Sequence, residues 1–141
     1  MSIPSRCVVD ASVGIKLIVC EDLSDQATEL LSDPHVALDV PDLFFVECAN
    51  VLWKKVRRGE YLADDAVGDL ADLRDIEPSI VSTADLVERA FLIANAEDIS
   101  AYDACYVALA DSLAVPLVTA DDRLAAKLAG TGHRVLTLGE M

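Results

Sequence analysis

Four acidic side chains stand next to apolar segments in a pattern that favours metal chemistry. Asp10 follows the run CVV, Glu47 lies inside LFFVECANV, Asp103 precedes seven consecutive apolar residues, and Asp121 follows PLVTA. A buried carboxylate is costly and tends to become neutral unless a cation is shared with it. Oxygen ligands without histidine or thiolate select a hard ion, Mg²⁺ or Mn²⁺. Such ions polarise a phosphoryl oxygen and lower the pKa of bound water, which allows in-line attack on a phosphodiester.

Three of these acids have a structural alternative at the start of a helix. Asp10 could cap the helix of SVGIKLIV, and Asp103 could be the acidic half of a capping box. Either Asp121 or the adjacent Asp122 could cap DRLAAKLAG. Glu47 differs, because the apolar residues on both sides of it favour a position that faces the core or a cleft.

Short β-branched segments alternate with helical patterns along the chain. Strands are predicted at residues 6–9, 35–41, 76–81, 116–120 and 133–138. This alternation predicts an α/β fold. We expect a single domain with three layers, in which helices cover both faces of a parallel sheet. Ligands bind beyond the carboxyl ends of the strands in an open parallel sheet. We therefore expect all four acids to converge at one edge of the sheet.

Polar residues mark the expected starts of several helices. Ser24 and Asp42 are predicted N-caps for SDQATELL and for LFFVECANVLWKKVRRG. The spacing of a capping box recurs twice, in the pairs Ser82 with Asp85 and Ser100 with Asp103.

Composition limits the class of protein. The 141 residues predict one domain, residues 1–141, with enough apolar content for a continuous core. The apolar runs are too short for a membrane-spanning helix, and the N-terminus lacks the long apolar run of a signal peptide, so a cytoplasmic protein without membrane contact is expected. The cysteines lack Cys-x-x-Cys spacing and are predicted to be buried free thiols; they are Cys7, Cys20, Cys48 and Cys105. The net charge of −14 should repel nucleic acid unless basic residues cluster locally or metal ions mask the acids.

The segments around the four acids resemble those of one family, the PIN-domain ribonucleases, and in particular the toxins of VapBC-type toxin–antitoxin pairs. VVDASVGIKLIV is similar to the first-strand motif with its leading Asp, and PDLFFVECANVLWKKVRRGE is similar to the helix that carries the Glu. ISAYDACYVALADSLAVPLVTADDRL resembles the paired motif with the third and fourth acids. The resemblance covers nearly the whole chain.

The resemblance implies a Rossmann-like PIN fold and a metal-dependent endoribonuclease. It assigns Asp10, Glu47, Asp103 and Asp121 as catalytic metal ligands for Mg²⁺ or Mn²⁺, and its Thr-x-Asp pattern favours Asp121 over Asp122. It implies an RNA substrate, with transfer and ribosomal RNA as candidates, together with a homodimer and a cognate antitoxin that occupies the catalytic groove. The apolar stretch 43–53 is one candidate for the dimer contact, although such a stripe is more often core.

Two hydroxyls also match family positions that support the metal site. They are Ser12, two residues after Asp10, and Thr119, two residues before Asp121. Each has a local alternative, because Ser12 could cap a helix and Thr119 could satisfy a backbone group at the end of a strand.

Basic residues near the acids are candidates for contacts with substrate phosphate. Lys16 follows Asp10 by less than two helical turns and Arg123 closely follows Asp121, so both are predicted to reach a bound phosphate. A second group is the run KKVRR at residues 54–58, although cations also suit the negative end of a helix dipole.

Two other classes of function compete with a nuclease. One is a PIN-like scaffold that binds a partner without catalysis, and metal binding would discriminate against it. The other is a phosphatase or phospho-receiver domain, which also gathers carboxylates at a sheet edge. The first strand ends Asp10-Ala11-Ser12 and lacks the second Asp that a haloacid-dehalogenase-type phosphatase needs, and the chain has no paired-acid motif of a receiver near its N-terminus.

Overall fold

Five parallel strands form the central sheet of the computed structural model, which describes residues 3–141. The strands are β1 (Arg6–Val9), β2 (Ala37–Pro41), β3 (Ser79–Val81), β4 (Leu117–Thr119) and β5 (Val135–Thr137). Their order is β3-β2-β1-β4-β5, and every neighbouring pair is parallel. All five lie within the segments predicted from the sequence, which confirms the predicted parallel sheet.

Seven α-helices within the described residues flank this sheet. They are α1 (Ala11–Ile18), α2 (Ser24–Ser32), α3 (Leu43–Arg57), α4 (Ala63–Arg74), α5 (Val87–Glu97), α6 (Ala101–Leu113) and α7 (Asp122–Leu128). Short 3₁₀ turns at Thr83–Asp85 and Leu138–Glu140 complete the regular structure. No helix in residues 3–141 combines the length and the hydropathy needed to cross a membrane.

The chain adds β2 and β3 on one side of β1 and then β4 and β5 on the other side. This change of direction determines where the helices and the binding edge lie. Right-handed crossovers require the helices between β1 and β3 to cover one face and those after β3 to cover the other. The contacts agree, because α1, α3 and α4 pack together while α6 packs against β1, β2 and β4 with α5 beside it. The predicted three-layer arrangement is confirmed. The switch point, where ligands bind in such sheets, lies between the carboxyl ends of β1 and β4.

The core is continuous from the sheet into α6. Residues 7–9 of β1 are fully buried, and so are nearly all side-chain atoms of the run 104–110 in α6. This burial explains the apolar run behind Asp103. Three cysteines are buried free thiols as predicted, namely Cys7, Cys48 and Cys105. The prediction is wrong for Cys20, which is exposed because it follows the end of α1 in the connection to α2.

The predicted cap of α2 is wrong by one position. Leu23, in a left-handed conformation with φ of 69°, precedes the helix, and Ser24 is its first residue. The Ser24 hydroxyl accepts a hydrogen bond from the Glu21 backbone N–H at 2.9 Å and donates to the Val19 carbonyl at 3.1 Å. It therefore orders the α1–α2 connection instead of capping its own helix.

Two other predicted caps act on neighbouring segments. Asp42 precedes α3 but makes no capping bond to it; its Oδ1 accepts from the Thr83 backbone N–H at 3.1 Å. Ser82 caps the 3₁₀ turn by accepting from the Ala84 backbone N–H at 3.2 Å, whereas α5 begins only at Val87. The capping-box prediction for α5 is wrong, because a separate 3₁₀ turn stands between the cap and the helix.

Gly14 allows α1 to approach α3 closely. A Cβ atom at Gly14 would lie 2.6 Å from Phe44 Cζ and 3.1 Å from Cys48 Sγ, and both side chains are fully buried. Phe44 and Cys48 flank Glu47 on α3, so the close approach fixes the position of that acid. Glycine inside a helix otherwise costs about 0.5–1 kcal/mol relative to alanine.

Gly14→Ala is therefore expected to reduce the free energy of unfolding by about 1–3 kcal/mol, because overpacking outweighs the gain in helix propensity. Gly68→Ala in α4 is the matched control, since a Cβ there meets nothing within 4 Å. It is expected to stabilise the protein by up to about 1 kcal/mol. Urea unfolding of both variants measures the difference, and an equal gain at both positions would contradict the close contact.

Candidate active site

Asp10 lies between β1 and α1, at the switch point of the sheet. Asp10 is 5% exposed. Oδ1 accepts from the Ser12 backbone N–H at 3.1 Å and from Ser12 Oγ at 2.5 Å, and Oδ2 accepts from Thr119 Oγ1 at 2.5 Å. Burial raises the pKa of Asp10 to about 6 although the hydrogen bonds oppose this shift, and the charge of Asp103 adds to it. Asp10 thus caps α1 and also presents a desolvated carboxyl group at the edge.

Ser12 and Thr119 join the ends of β1 and β4 through Asp10. Each hydroxyl donates to the Asp10 carboxylate and accepts a backbone N–H from the segment after β4: Ser12 Oγ from Ala120 at 2.9 Å and Thr119 Oγ1 from Asp121 at 3.0 Å. The two hydroxyl oxygens are 3.3 Å apart, but both protons already point to Asp10. The local alternative for Thr119 is therefore confirmed, whereas that for Ser12 is wrong, because Asp10 caps α1 and Ser12 lies inside that helix. The same bonds orient the carboxylate.

Glu47 lies on α3 with its carboxylate directed to α6. It is half-buried, and its Oε1 accepts a hydrogen bond of 2.6 Å from Tyr106 Oη. Tyr106 is only 1% exposed. Burial raises the pKa of Glu47, the hydrogen bond from Tyr106 lowers it, and the charge of Asp103 raises it further.

Asp103 lies in the first turn of α6 and is half-buried. Ser100 caps this helix by accepting from the Asp103 backbone N–H at 3.1 Å, which forms the serine half of the predicted capping box. Burial raises the pKa of Asp103, the charge of Asp121 raises it further, and the hydrogen bond with Ser100 opposes the shift. The cap at Ser100 therefore involves both the backbone and the carboxylate of Asp103.

Asp121 is the N-cap of α7. Its Oδ1 accepts from the backbone N–H groups of Arg123 at 3.0 Å and Leu124 at 3.1 Å. Asp121 also lines a cleft of about 340 Å³ together with Asp103, whereas the adjacent Asp122 does not line it. This difference favours Asp121 as the functional residue of the pair.

Asp103 links the four acids electrostatically. Its charge raises the pKa of both Asp10 and Glu47, and its own pKa is raised by Asp121. Within residues 3–141, however, no three side chains of the types His, Cys, Asp and Glu are grouped closely enough to enclose a metal ion. The acids therefore form an open, oxygen-only arrangement. It fits Mg²⁺, which keeps several of its water ligands, and a cation there would offset both the desolvation and the mutual repulsion of the carboxylates.

A comparison with protein-family models decides the family. The model described as "PIN domain" matches residues 7–129, a range that contains all four acids. The chain belongs to the PIN-domain family. The predicted resemblance is confirmed.

Individual relatives of this PIN domain agree with the match. Ribonuclease VapC3 of Pyrobaculum aerophilum is 38% identical over 124 residues, which are 86% of this chain and 94% of that protein. Among solved structures, Mycobacterium tuberculosis VapC20, described as a sarcin-ricin loop cleaving toxin, superposes with a TM-score of 0.67 at 21% identity and covers 90% of this chain and 95% of its own. M. tuberculosis VapBC-5, a member of the VapBC family of toxin-antitoxin systems, gives 0.56 at 22% identity, with 95% and 98% covered. At these identities the structural likeness shows the shared fold.

The two basic residues predicted to contact substrate have different surroundings in this PIN domain. Lys16 Nζ is 3.1 Å from Glu21 Oε1 and its side chain is 14% exposed, so its charge is already paired. Arg123 is exposed and lines the cleft that contains Asp103 and Asp121. Arg123 is the better placed of the two for a phosphate, and a substrate contact for either residue stays a prediction.

Sequence reasoning missed Tyr106 as a residue of this site. Tyr106 follows Asp103 by three positions and therefore shares its side of α6. A tyrosine inside an otherwise apolar, buried helical run needs a hydrogen-bond partner, and that requirement was the available signal. The partner, Glu47, is 59 residues away in sequence and could not be identified without the fold.

Tyr106→Phe is expected to lower the free energy of unfolding by about 1 kcal/mol, since it leaves a half-buried carboxylate without its donor. It should also raise the pKa of Glu47, because the bond to Tyr106 is what lowers it. Urea unfolding measures the change in stability. The affinity for Mn²⁺ measured by calorimetry checks the change in the pKa of Glu47, because a proton competes with a cation for the carboxylate. Tyr102→Phe is the stability control, because the Tyr102 side chain is 68% exposed. Equal stabilities for the two variants would contradict a role for the Tyr106 hydroxyl.

Proposed function

We propose that this PIN domain is a metal-dependent endoribonuclease toxin of the VapC type, which hydrolyses RNA phosphodiester bonds and is inhibited by a cognate antitoxin. The observation that carries the proposal is the open set of carboxylates at the switch point of the sheet, in which Asp103 interacts with the other three. A 38% identical relative named as a ribonuclease supports the same assignment.

The proposed ligands of Mg²⁺ or Mn²⁺ are Asp10, Glu47, Asp103 and Asp121. When bound, the cation would supply positive charge for the phosphate and would activate water for in-line attack. The chain's own contribution is to orient the ligands. Ser12 and Thr119 hold both oxygens of Asp10, and Tyr106 holds one oxygen of Glu47.

The charge of the protein constrains how RNA would bind. With a net charge of −14, the surface as a whole repels a polyanion. Binding would therefore depend on the cation at the acids and on local basic residues such as Arg123, which lines the cleft beside Asp103 and Asp121. We expect the affinity for RNA to rise when Mg²⁺ is added, in contrast to a basic nuclease that binds through its surface alone.

The proposed partner is an antitoxin that presents a basic or amphipathic segment to this acidic edge, with an Arg or Lys inserted near the four acids. The likeness to a member of the VapBC family of toxin-antitoxin systems supports such a partner. A homodimer and a cytoplasmic location belong to the same proposal. Light scattering of the purified chain measures its oligomeric state, and a monomer at micromolar concentration would contradict the dimer.

The test of the proposed function is cleavage of a panel of purified transfer and ribosomal RNAs with Mg²⁺ or Mn²⁺ and, in parallel, with EDTA. Discrete fragments in the presence of metal and none with EDTA are expected. Calorimetric titration with Mn²⁺ accompanies the assay. Cleavage that persists in EDTA would refute the metal-dependent mechanism, and the absence of both cleavage and Mn²⁺ binding would favour a scaffold without catalysis.

A further inference from the structure

A separate cleft of about 410 Å³ lies at the amino edge of the sheet, opposite the four acids. Its walls come from the segments that lead into β4 and β5 and from the adjoining turns of α5 and α6. Asp111 in this wall follows Asp103 by eight residues on α6, which corresponds to about 12 Å along the helix axis. This amino-edge cleft is therefore distinct from the proposed metal site.

The charge of the amino-edge cleft differs in sign from that of the protein. Two arginines line it against one carboxylate, and a histidine lies among them; the four residues are Arg89, Asp111, His133 and Arg134. The cleft at Asp103 and Asp121 has three carboxylates and two cations, and a cleft of about 540 Å³ at the starts of β2 and β3 has three carboxylates and no cation. In a chain with a net charge of −14, a concave site with an excess of arginine attracts anions that the remaining surface repels.

His133 and Asp111 form a hydrogen-bonded pair in the wall of this cleft. Nδ1 of His133 lies 2.8 Å from Asp111 Oδ2, and the two side chains are 16% and 25% exposed. An ionised carboxylate only accepts hydrogen bonds, so Nδ1 carries a proton and donates it. The carboxylate thus fixes the orientation of the imidazole ring and leaves Nε2 for a ligand.

The two arginines have donors that the fold does not use. Both are exposed at the cleft, and neither takes part in the ion pairs formed among the described side chains. Nη1 of Arg134 donates to the Ala114 carbonyl at 3.3 Å, which satisfies the end of α6 with one of the five N–H donors of the guanidinium. This contact accounts for one basic residue after the helix. It does not account for Arg89 or for the oriented imidazole in the same cleft.

A phosphate monoester matches this set of groups in charge and in size. Guanidinium groups donate paired N–H bonds to phosphate oxygens and stay charged at neutral pH. A monoester carries a charge of about −1.5 to −2 at pH 7, which suits two arginines better than the single charge of a diester. Nε2 of His133 accepts from a protonated phosphate oxygen when the ring is neutral and donates to an ionised oxygen when the ring is charged. Small-molecule sites usually measure about 300–1,000 Å³, and this cleft falls within that range.

We propose that the amino-edge cleft binds a phosphate monoester through Arg89, Arg134 and Nε2 of His133. Asp111 is a positioning residue, because it acts through His133. A free mononucleotide and the terminal phosphate of an RNA chain present the same group, and they are the two sources that the experiment distinguishes. The inference makes no use of the four acids, so a failure of RNA cleavage leaves it standing.

The imidazole resonances of the protein test this site directly, because the chain has only two histidines. His35 is exposed and lies outside the cleft, so it is the internal reference, and His133→Gln assigns the two signals. We expect inorganic phosphate and adenosine monophosphate, each titrated at pH 7 in metal-free buffer, to shift the Hε1 signal of His133. Half of the shift should be reached at or below about 1 mM, and the signal of His35 should stay in place.

Replacing either arginine should weaken this binding. Arg89→Gln and Arg134→Gln are each expected to raise the dissociation constant for phosphate about 10- to 100-fold. Arg74→Gln is the matched control, because Arg74 is exposed in the last turn of α4 and does not line the cleft; it should stay within about twofold of the wild type. The ¹⁵N shifts of the His133 ring should still show a proton on Nδ1 in every arginine variant. That readout separates the loss of a ligand contact from the loss of the pair with Asp111.

Two oligoribonucleotides of one sequence, with a 5′-phosphate or a 5′-hydroxyl end, identify the source of the phosphate. A shift of His133 by adenosine monophosphate and by neither strand supports a free mononucleotide as the ligand. A shift by the phosphorylated strand and not by the hydroxyl strand supports an RNA end. Equal shifts by both strands would show binding of the diester backbone and would refute the monoester site. The site is also refuted if no probe shifts His133 below about 10 mM, or if both arginine variants bind phosphate as the wild type does.

Discussion

Replacing Asp103 with asparagine is expected to reduce RNA cleavage by about 1000-fold or more. Asp103 is the one acid that interacts electrostatically with all three others. Its replacement therefore removes the carboxylate that all three share as a neighbour. The amide has nearly the same shape as the carboxylate but lacks the charge that a hard cation requires. The fold should be preserved, because the hydrogen bond from the backbone N–H of residue 103 to Ser100 does not depend on the side chain that is changed.

The control for this variant is Asp65→Asn, which changes the net charge by the same amount. Asp65 is exposed in the first turn of α4 and lies outside the cleft that Asp103 and Asp121 line. It should retain wild-type cleavage within about twofold, since isolated surface substitutions have small effects. Single-turnover cleavage of one RNA, with urea unfolding of each variant, makes the comparison. Wild-type cleavage by Asp103→Asn would refute the assignment of Asp103.

Short β-branched segments between turn residues were sufficient to place the strands, although β3 and β5 are only partly buried. The same reasoning located the acids, since carboxyl ends of parallel strands share an edge whatever the details of packing. The caps of Ser24 and Asp42 were not predictable in this way. The Asp42 side chain bonds to Thr83, a partner across the fold that leaves no mark in the local sequence. The Ser24 side chain bonds instead to Val19 and Glu21 in the connection before the helix, and local bonds of this kind compete with a cap.

The structural interpretation of the acids is correct at two helix starts, and the proposed metal-binding role uses the same residues. Asp10 and Asp121 cap α1 and α7, and the first turn of α6 holds Asp103. Helix N-termini carry partial positive charge and favour anions nearby. A helix start therefore places a carboxylate at the switch point and also offsets part of its repulsion from the other acids. Local spacing alone therefore could not separate a cap from a ligand, and the ligand role is proposed from the edge of the sheet that the acids share.

The contribution of Asp10 to the free energy of unfolding is expected to fall as the pH rises, because an ionised Asp10 is buried without a cation. Burial raises the pKa of Asp10 from 3.8 to about 6 in the folded protein. The proton on Asp10 therefore stabilises the fold fully below about pH 4, and this contribution is lost as the pH rises through 6. At pH 7 in EDTA the wild type should carry a penalty of about 3 kcal/mol from this one group. Asp10→Asn has no such proton, so its stability relative to wild type should rise by about that amount between pH 4 and pH 7.

Urea unfolding of the wild type, Asp10→Asn and the control Asp65→Asn at several pH values measures this difference. The control should follow the wild type across the range, because Asp65 is exposed. A constant difference between wild type and Asp10→Asn would show that Asp10 titrates alike in the folded and unfolded states. Addition of Mg²⁺ at pH 7 then tests the cause. A cation that binds the ionised carboxylate should stabilise the wild type by about 2.7 kcal/mol at one hundred times its dissociation constant and leave Asp10→Asn nearly unchanged. Stabilisation of the wild type that Asp10→Asn lacks would support binding of the cation by the ionised Asp10 carboxylate.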